Sequence, residues 1–198
     1  SISSFVTDLR FEPVRKLIGE NARVGENEKD GVVVNRYLNV RQSIYKRLGW
    51  HTDGIRDLFY GRMPVQQLNV GLHLDHCTIE DGALRLIPCT HNQGFRDMLC
   101  RKAYFISHDD DEDEIVVETK AGDLTIHDGR LWHRVAPSIK SPGATLRRTM
   151  YVPYLTGPYE PKTESASTPP YHHLGRISRG VRGRLNSLMQ IKDVFFGA

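Results

Sequence analysis

Residues 68–75 restrict the fold more than any other part of this sequence. Every second residue in this stretch is apolar: Leu68, Val70, Leu72 and Leu74. Strict alternation of apolar with small or polar residues is typical of a β-strand with one buried face. A turn signal at 80–82 and a second apolar run at 83–88 follow. This region therefore predicts two successive strands connected through a turn.

Most of the remaining sequence also consists of short strand-like runs separated by turns. We predict further strands at 31–40, 115–117, 124–126 and 145–154. Helices are predicted only at the two ends, as an amphipathic helix at 11–21 and a basic helix at 177–196. The apolar face of the first helix is formed by Phe11, Val14, Leu17 and Ile18. This order of elements is typical of a β-sandwich or a jelly-roll barrel.

Composition and charge limit the class of protein. The chain has 198 residues, enough for one domain, and its 27 Lys and Arg against 24 Asp and Glu give a net charge of +3. This charge is too small to predict a nucleic-acid or membrane partner. Its cysteines, Cys77, Cys89 and Cys100, form no Cys-x-x-Cys motif and are expected to be reduced thiols. We therefore expect a cytoplasmic protein.

An acidic run at 109–114 interrupts the pattern of strands. Runs of like charge usually form solvated loops, and a solvated loop is the prediction here. A calcium-binding loop is not favoured, because it would space its acidic residues around a glycine.

The tripeptide His-x-Asp occurs three times, at 51–53, 73–75 and 108–110. A non-haem iron site requires two imidazoles and one carboxylate on one face of the metal, and residues two apart in an extended segment point the same way. The third copy lies in the acidic run, and Asp75 of the second is placed to cap a turn. The first lies between Trp50 and Gly54, at a loop edge. This context favours His51 and Asp53, although the motif alone leaves all three copies open.

The second imidazole has to come from a distant part of the chain, and the candidates are His127 and His133. Beyond them, residues 145–152 alternate again, with Arg147 and Thr149 on one face and Arg148 on the other. An arginine on the inner face of a small barrel, with a hydroxyl two residues on, can hold a carboxylate through a bidentate fork. Arg147 with Thr149 is therefore favoured as a clamp for the distal carboxylate of 2-oxoglutarate, and Arg148 is the alternative.

Four segments carry a resemblance to a known family. Residues 50–53 resemble the motif W/L-H-x-D, and 74–75 with 81–91 resemble a strand followed by N-G-x-L-x-x-x-P-G-S/T-H. Residues 122–133 resemble G-D-x-x-x-F-H-x-x-x-x-H, and 146–149 resemble a final arginine-bearing strand. In this order, they resemble the phytanoyl-CoA dioxygenase family of Fe(II)/2-oxoglutarate oxygenases, over about residues 30–157. Cys89, in place of the usual glycine, and a long loop after His133 are departures from the family pattern.

The resemblance implies a mainly β fold, a double-stranded β-helix (jelly roll, cupin-like) with flanking helices. It implies a single domain over 1–198, with its core at about 30–157 and a C-terminal loop and helix at 158–198. Fe(II) would be bound by His51, Asp53 and His133, so that His127 becomes an inner strand residue. Arg147 and Thr149 would bind 2-oxoglutarate.

The implied reaction consumes O2 and hydroxylates an unactivated C–H bond of a small organic substrate, with release of succinate and CO2. Asp53 favours hydroxylation, or a desaturation or ring-forming variant, over halogenation, because the related halogenases lack this carboxylate. Polar residues predicted to complete the pocket are Asn35, Tyr37, Gln67, Asn69 and His73. Of these, Asn69 and His73 rank highest because they share the polar face of one strand.

Two other functions are compatible with the sequence. The first is a cupin-like metal-binding protein that does not turn over 2-oxoglutarate. The second is a binding module whose basic tail contacts phosphates through Arg176, Arg179, Arg182 and Arg184. The sequence indicates neither the substrate nor the oligomeric state.

Overall fold

The structure, a computed structural model, describes residues 2–25, 31–40, 47–59 and 61–156. The chain divides into two units, Ser1–Lys162 and Thr163–Ala198. The predicted C-terminal loop and helix at 158–198 lie outside the described residues, and the single-domain organisation stays a prediction. Within the described ranges, no helix is both long and apolar enough to cross a membrane.

Two antiparallel sheets form the core of the described structure. The first sheet has the strand order β1-β9-β4-β7, with β2 also pairing with β9. Its strands are β1 (Arg23–Val24), β2 (Val33–Leu38), β4 (Gln67–His73), β7 (Leu124–Asp128) and β9 (Leu146–Leu155). The second sheet has the order β3-β8-β5-β6. Its strands are β3 (Leu48–His51), β5 (Leu84–Leu86), β6 (Ile115–Val117) and β8 (His133–Val135).

Most neighbouring strands in these sheets are far apart in the sequence, as the jelly-roll topology requires. The predicted mainly β, double-stranded β-helix fold is confirmed. Each strand predicted from apolar alternation is present, with ends shifted by a few residues.

The outer face of the first sheet is covered by the N-terminal segment. Leu68 and Val70 of β4 pack with Val152 and Tyr154 of β9 in one apolar cluster, which Phe11 also joins. Burying a side chain of this kind contributes about 1.5–3 kcal/mol. The opposite face of β4 and β9 therefore faces the interior of the barrel, where the polar residues lie.

The N-terminal helix is shorter than predicted. A 3-10 turn covers Leu9–Phe11, and the α-helix α2 covers only Glu12–Lys16, after α1 at Ile2–Val6. The chain leaves the helix because Gly19 adopts φ +130°, a conformation that glycine tolerates. Leu17 is consequently 65% exposed instead of buried.

Two short helices also lie between the strands, α3 at Ile55–Phe59 and α4 at Phe95–Cys100. The expectation that helices are confined to the ends of the chain is therefore wrong. Both segments are too short to show a clear helical period.

The acidic run is a loop, as predicted, and four of its six residues are exposed, but Asp111 and Glu114 are partly buried. Arg85 of β5 and Arg134 of β8 are directly opposite in register, and like charges in this position repel. Glu114, whose side chain is 7% exposed, accepts hydrogen bonds from both, at 2.7 Å and 2.8 Å from its Oε1. Asp111, also largely buried, pairs with Lys102 at 2.7 Å. The run thus neutralises cations on the second sheet.

Candidate metal centre

The first His-x-Asp motif lies where β3 ends. His51 is the last residue of β3, and Asp53 lies in the turn that follows it. The backbone N–H of Asp53 donates a hydrogen bond of 2.8 Å to the carbonyl of Gly129. This bond fixes the carboxylate-bearing turn to the segment that precedes His133.

The pairing of β3 with β8 brings the second imidazole to the site. His51 and His133 are direct partners in this antiparallel register, and their ring centroids are 4.1 Å apart. His51 Nε2 lies 3.9 Å from Asp53 Oδ1, and His133 Nε2 lies 3.8 Å from Asp53 Oδ2. The possible ligand atoms of the three residues all lie within 4.8 Å of one another.

Both imidazoles are held in the same tautomer. His51 Nδ1 is 2.8 Å from the carbonyl oxygen of Gly49, and His133 Nδ1 is 2.9 Å from that of Leu131. A carbonyl oxygen only accepts, so each Nδ1 carries the proton and each Nε2 presents a lone pair. Hydrogen bonds of this kind orient the histidine ligands of metal sites.

Charge and burial at the site favour a cation. Burial lowers the pKa of His51, with a further lowering from the neighbouring His133. Burial also raises the pKa of Asp53, although His133 and the hydrogen bond that Asp53 accepts from Asn69 both act to lower it. Burial thus disfavours both a charged His51 and an uncompensated Asp53 carboxylate, and a bound cation would supply the missing positive charge. Ligands at about 2.1 Å and right angles would be about 3 Å apart, so small side-chain shifts would suit an octahedral divalent metal.

The other two His-x-Asp motifs do not form such a site. His73 Nε2 lies 3.0 Å from Thr125 Oγ1, and Asp75 pairs with Arg148 at 2.7 Å. Asp110 is 87% exposed and binds Arg134. Among the described residues, a cluster with metal-ligand spacing is found only at His51, Asp53 and His133.

A cavity of about 180 Å³ opens beside these three residues. It lies between the sheets, and the predicted pocket residues Tyr37, Gln67 and Asn69 line it. Asn35 also lines it, whereas His73 is not among the lining residues. Within the described part of the wall there is no Lys or Arg.

Two further polar residues of this wall were not among the predicted pocket residues: His127, which was expected only as an inner strand residue, and Tyr151. His127 pairs with Asn69 across β7 and β4, and its ring lies 5.1 Å from that of His133. Its two nitrogens are buried and have no hydrogen-bond partner in the described structure. Burial lowers the pKa of His127 to about 3, so it presents a neutral donor and acceptor. Tyr151 follows Thr149 on the inner face of β9, where continued alternation was the available signal.

The alternation along β9 separates the two candidate arginines. Arg147 is 7% exposed, donates a hydrogen bond to the carbonyl of Gly82 and lies 5.0 Å from the ring of Tyr37. Arg148 is exposed and paired with Asp75. Thr149 is partly buried opposite His73 and is not among the residues that line the cavity. Arg147 and Thr149 thus lie further from the metal ligands along the strand than Tyr151 does.

Two imidazoles and one carboxylate on one face of a cavity, within a double-stranded β-helix, are typical of non-haem iron enzymes. The model of the family "Phytanoyl-CoA dioxygenase (PhyH)" matches residues 12–147. The chain belongs to this family. No curated protein matches the chain.

Several solved structures share the fold. EvdO2 from Micromonospora carbonacea var. aurantiaca, complexed with 2-oxoglutarate, is 16% identical, with TM-score 0.55 over 85% of this chain and 67% of its own. The epimerase SnoN, in complex with Fe3+, alpha ketoglutarate and nogalamycin RO, is 15% identical, with TM-score 0.58 over 85% of this chain and 67% of its own. EvdMO1 is 18% identical, with TM-score 0.55 over 77% of this chain and 32% of its own. The chain thus spans a third to two thirds of these proteins.

Proposed function

We propose that the protein is an Fe(II)- and 2-oxoglutarate-dependent dioxygenase that hydroxylates an unactivated C–H bond of a small organic substrate. Succinate and CO2 are the co-products. The observation that carries the proposal is the convergence of the His51 and His133 lone pairs with the Asp53 carboxylate at a buried cavity. Family membership and the fold support it.

His51, Asp53 and His133 would hold the iron, and the cavity would receive the groups that bind opposite them. Bound there, the Fe(II)–2-oxoglutarate pair supplies the oxidising chemistry with O2, which no protein side chain provides. The protein contributes placement. The bonds to the carbonyls of Gly49 and Leu131 fix the orientation of both imidazoles and turn their Nε2 atoms toward Asp53, and the buried walls limit the access of water.

Arg147, with Thr149, is proposed to bind the distal carboxylate of 2-oxoglutarate. The support is that Arg147 is buried on the inner side of β9, in contact with Tyr37, which lines the cavity. A guanidinium offers two parallel N–H donors to a carboxylate. Tyr151 lies four residues after Arg147 on β9 and lines the cavity. It would therefore flank the co-substrate.

Hydroxylation is proposed because the carboxylate ligand Asp53 is present, which disfavours halogenation. One similar structure is described as an alpha ketoglutarate dependent epimerase, so the type of product has to be measured. A panel of small organic substrates, screened for succinate release and then analysed by mass spectrometry, would identify products that gain one oxygen atom. Products of unchanged mass would contradict hydroxylation.

An anaerobic titration with Fe(II) and then 2-oxoglutarate tests the central proposal. A visible charge-transfer band is expected for the wild-type protein and no band for His133→Ala or Asp53→Ala. Asp110→Asn, in the exposed third His-x-Asp motif, is the matched control and should keep the band. If the wild-type protein binds iron but 2-oxoglutarate produces no band, the protein is a cupin-like metal-binding protein instead. The basic-tail alternative concerns residues outside the described ranges.

A further inference from the structure

We propose that Phe105 is a positioning residue of the metal centre, which covers His51 and, together with Tyr104, holds the ligand strand β3 in place. This inference rests on the proposed metal site. Residues 104–107, here called the clasp, lie between α4 and the acidic loop and run beside β3. Among the strands that the structure describes, β3 pairs only with β8.

The backbone of Phe105 is strained. Its φ is +61°, and among the described non-glycine residues only Cys89, at +63°, shares a positive φ. The left-handed region is disfavoured for side chains with a Cβ, above all for a bulky ring. Such strain persists only where surrounding contacts impose it, and it is concentrated at functional sites.

Phe105 is held in this conformation by contacts with three successive residues of β3, which are Gly49, Trp50 and His51. Its N–H donates to the carbonyl of Trp50 at 2.8 Å, and the N–H of Trp50 donates to the carbonyl of Ser107 at 3.0 Å. A Cβ at position 49 would lie 2.6 Å from the Phe105 carbonyl oxygen, so this approach requires Gly49. The Phe105 ring stacks on the His51 ring, with centroids 4.9 Å apart and planes at 29°.

Tyr104 extends the clasp to the middle residue of the His-x-Asp motif. Its hydroxyl donates to the carbonyl of Met98 at 2.8 Å and lies 2.7 Å from Thr52 Oγ1. Because the Tyr104 proton is used toward Met98, the hydroxyl of Thr52 is the donor in the second bond. Thr52 is 0% exposed. Four consecutive residues, 49–52, are thus held by the clasp.

These contacts act on the metal ligand through its orientation. The carbonyl of Gly49 accepts the Nδ1 proton of His51, and Gly49 is the residue against which the Phe105 backbone packs. The Phe105 ring covers the imidazole while remaining 43% exposed itself, so it separates His51 from solvent. The clasp should therefore pre-orient the first imidazole and slow the release of the metal.

The test is the rate at which Co(II)-loaded protein releases its metal to an excess of chelator. Phe105→Asn removes the ring but tolerates the left-handed backbone. We expect release to be about tenfold faster, as for the loss of other groups that orient metal ligands, with a changed visible Co(II) spectrum. Relief of strain should offset the lost ring contacts and keep the Tm within about 3 °C of wild type. Tyr104→Phe, which removes only the hydroxyl, should also accelerate release.

Cys89→Asn is the matched control, because it changes the other strained residue, which does not line the metal cavity. It should leave the release rate unchanged. If Phe105→Asn lowers the Tm but releases Co(II) at the wild-type rate, Phe105 is only structural. If Phe105→Asn does not fold, Phe105→Leu, which keeps an apolar side chain, replaces it. Equal Co(II) binding by wild type and Asp53→Ala would instead refute the proposed metal site.

Discussion

The hydrogen bond from Asn69 to Asp53 offers a direct measure of how much the cavity wall contributes to metal binding. Asn69 Nδ2 donates to Asp53 Oδ2, the oxygen that lies 3.8 Å from His133 Nε2. Together with the larger electrostatic effect of His133, this bond opposes the raising of the Asp53 pKa by burial. Asn69→Ala removes the donor and leaves the three proposed ligands unchanged.

The expected magnitude follows from the charge of the acceptor. A hydrogen bond to a charged group contributes about 1.5–3 kcal/mol. Since about 1.4 kcal/mol corresponds to a factor of ten in affinity, the dissociation constant for Fe(II) should rise about 10–100-fold, as is usual for a residue that orients a metal ligand. The pKa of Asp53 should also rise further, so the loss should grow as the pH is lowered.

The assay is an anaerobic titration with Fe(II), or with Co(II) followed by absorbance, near neutral pH and at lower pH. Asn35→Ala, which lines the same cavity from β2, is the control and should bind the metal with near wild-type affinity. An unchanged dissociation constant for Asn69→Ala would show that Asp53 does not depend on this bond. An equal loss in both variants would point to a general disturbance of the cavity.

Three further predictions concern the co-substrate, the ligand turn and pH. Arg147→Ala should weaken the binding of 2-oxoglutarate at least about 100-fold in the charge-transfer titration, whereas Arg148→Ala should leave this affinity unchanged. Equal effects of the two substitutions would refute the role proposed for Arg147. Gly129→Ala should lower both the Tm and metal affinity, because a Cβ there would lie 2.5 Å from the Gln67 side chain and displace the carbonyl that binds Asp53; a wild-type Tm would contradict this. With a pKa of about 3 in the folded state against about 6.5 unfolded, His127 binds its proton only on unfolding. Between about pH 6.5 and about pH 3, His127 should therefore cost the metal-free protein about 1.4 kcal/mol of stability per pH unit. Urea unfolding of His127→Phe should show a weaker dependence of stability on pH.

Local patterns in the sequence were sufficient for six of the nine described strands and for the inner and outer faces of β4 and β9, whereas β1, β3 and β8 were not predicted. The alternation at 68–74 placed Leu68 and Val70 in the apolar cluster, and the alternation at 145–152 placed Arg147 inside and Arg148 outside. Both results depend only on the period of two in an extended chain. The short helices α3 and α4 could not be predicted in the same way, because a segment of five or six residues carries no clear period.

The candidate site required more than local pattern. In an extended segment, the His-x-Asp spacing points both side chains the same way, but three copies of the motif in this sequence share that property. The β3–β8 register, which pairs His51 with His133, selects one copy, and this register arises from contacts between segments that lie far apart along the chain. The resemblance to a family singled out the same residues through motif order.

The sequence by itself therefore determined the fold class, the inward-facing arginine and the set of candidate ligands, since each follows from neighbouring residues. Only the tertiary structure decided how Glu114 becomes buried between Arg85 and Arg134, how His127 enters the cavity and how Phe105 comes to cover His51. Each of these contacts joins segments that are distant along the chain. Its energy depends on strand register and packing, which no local pattern encodes.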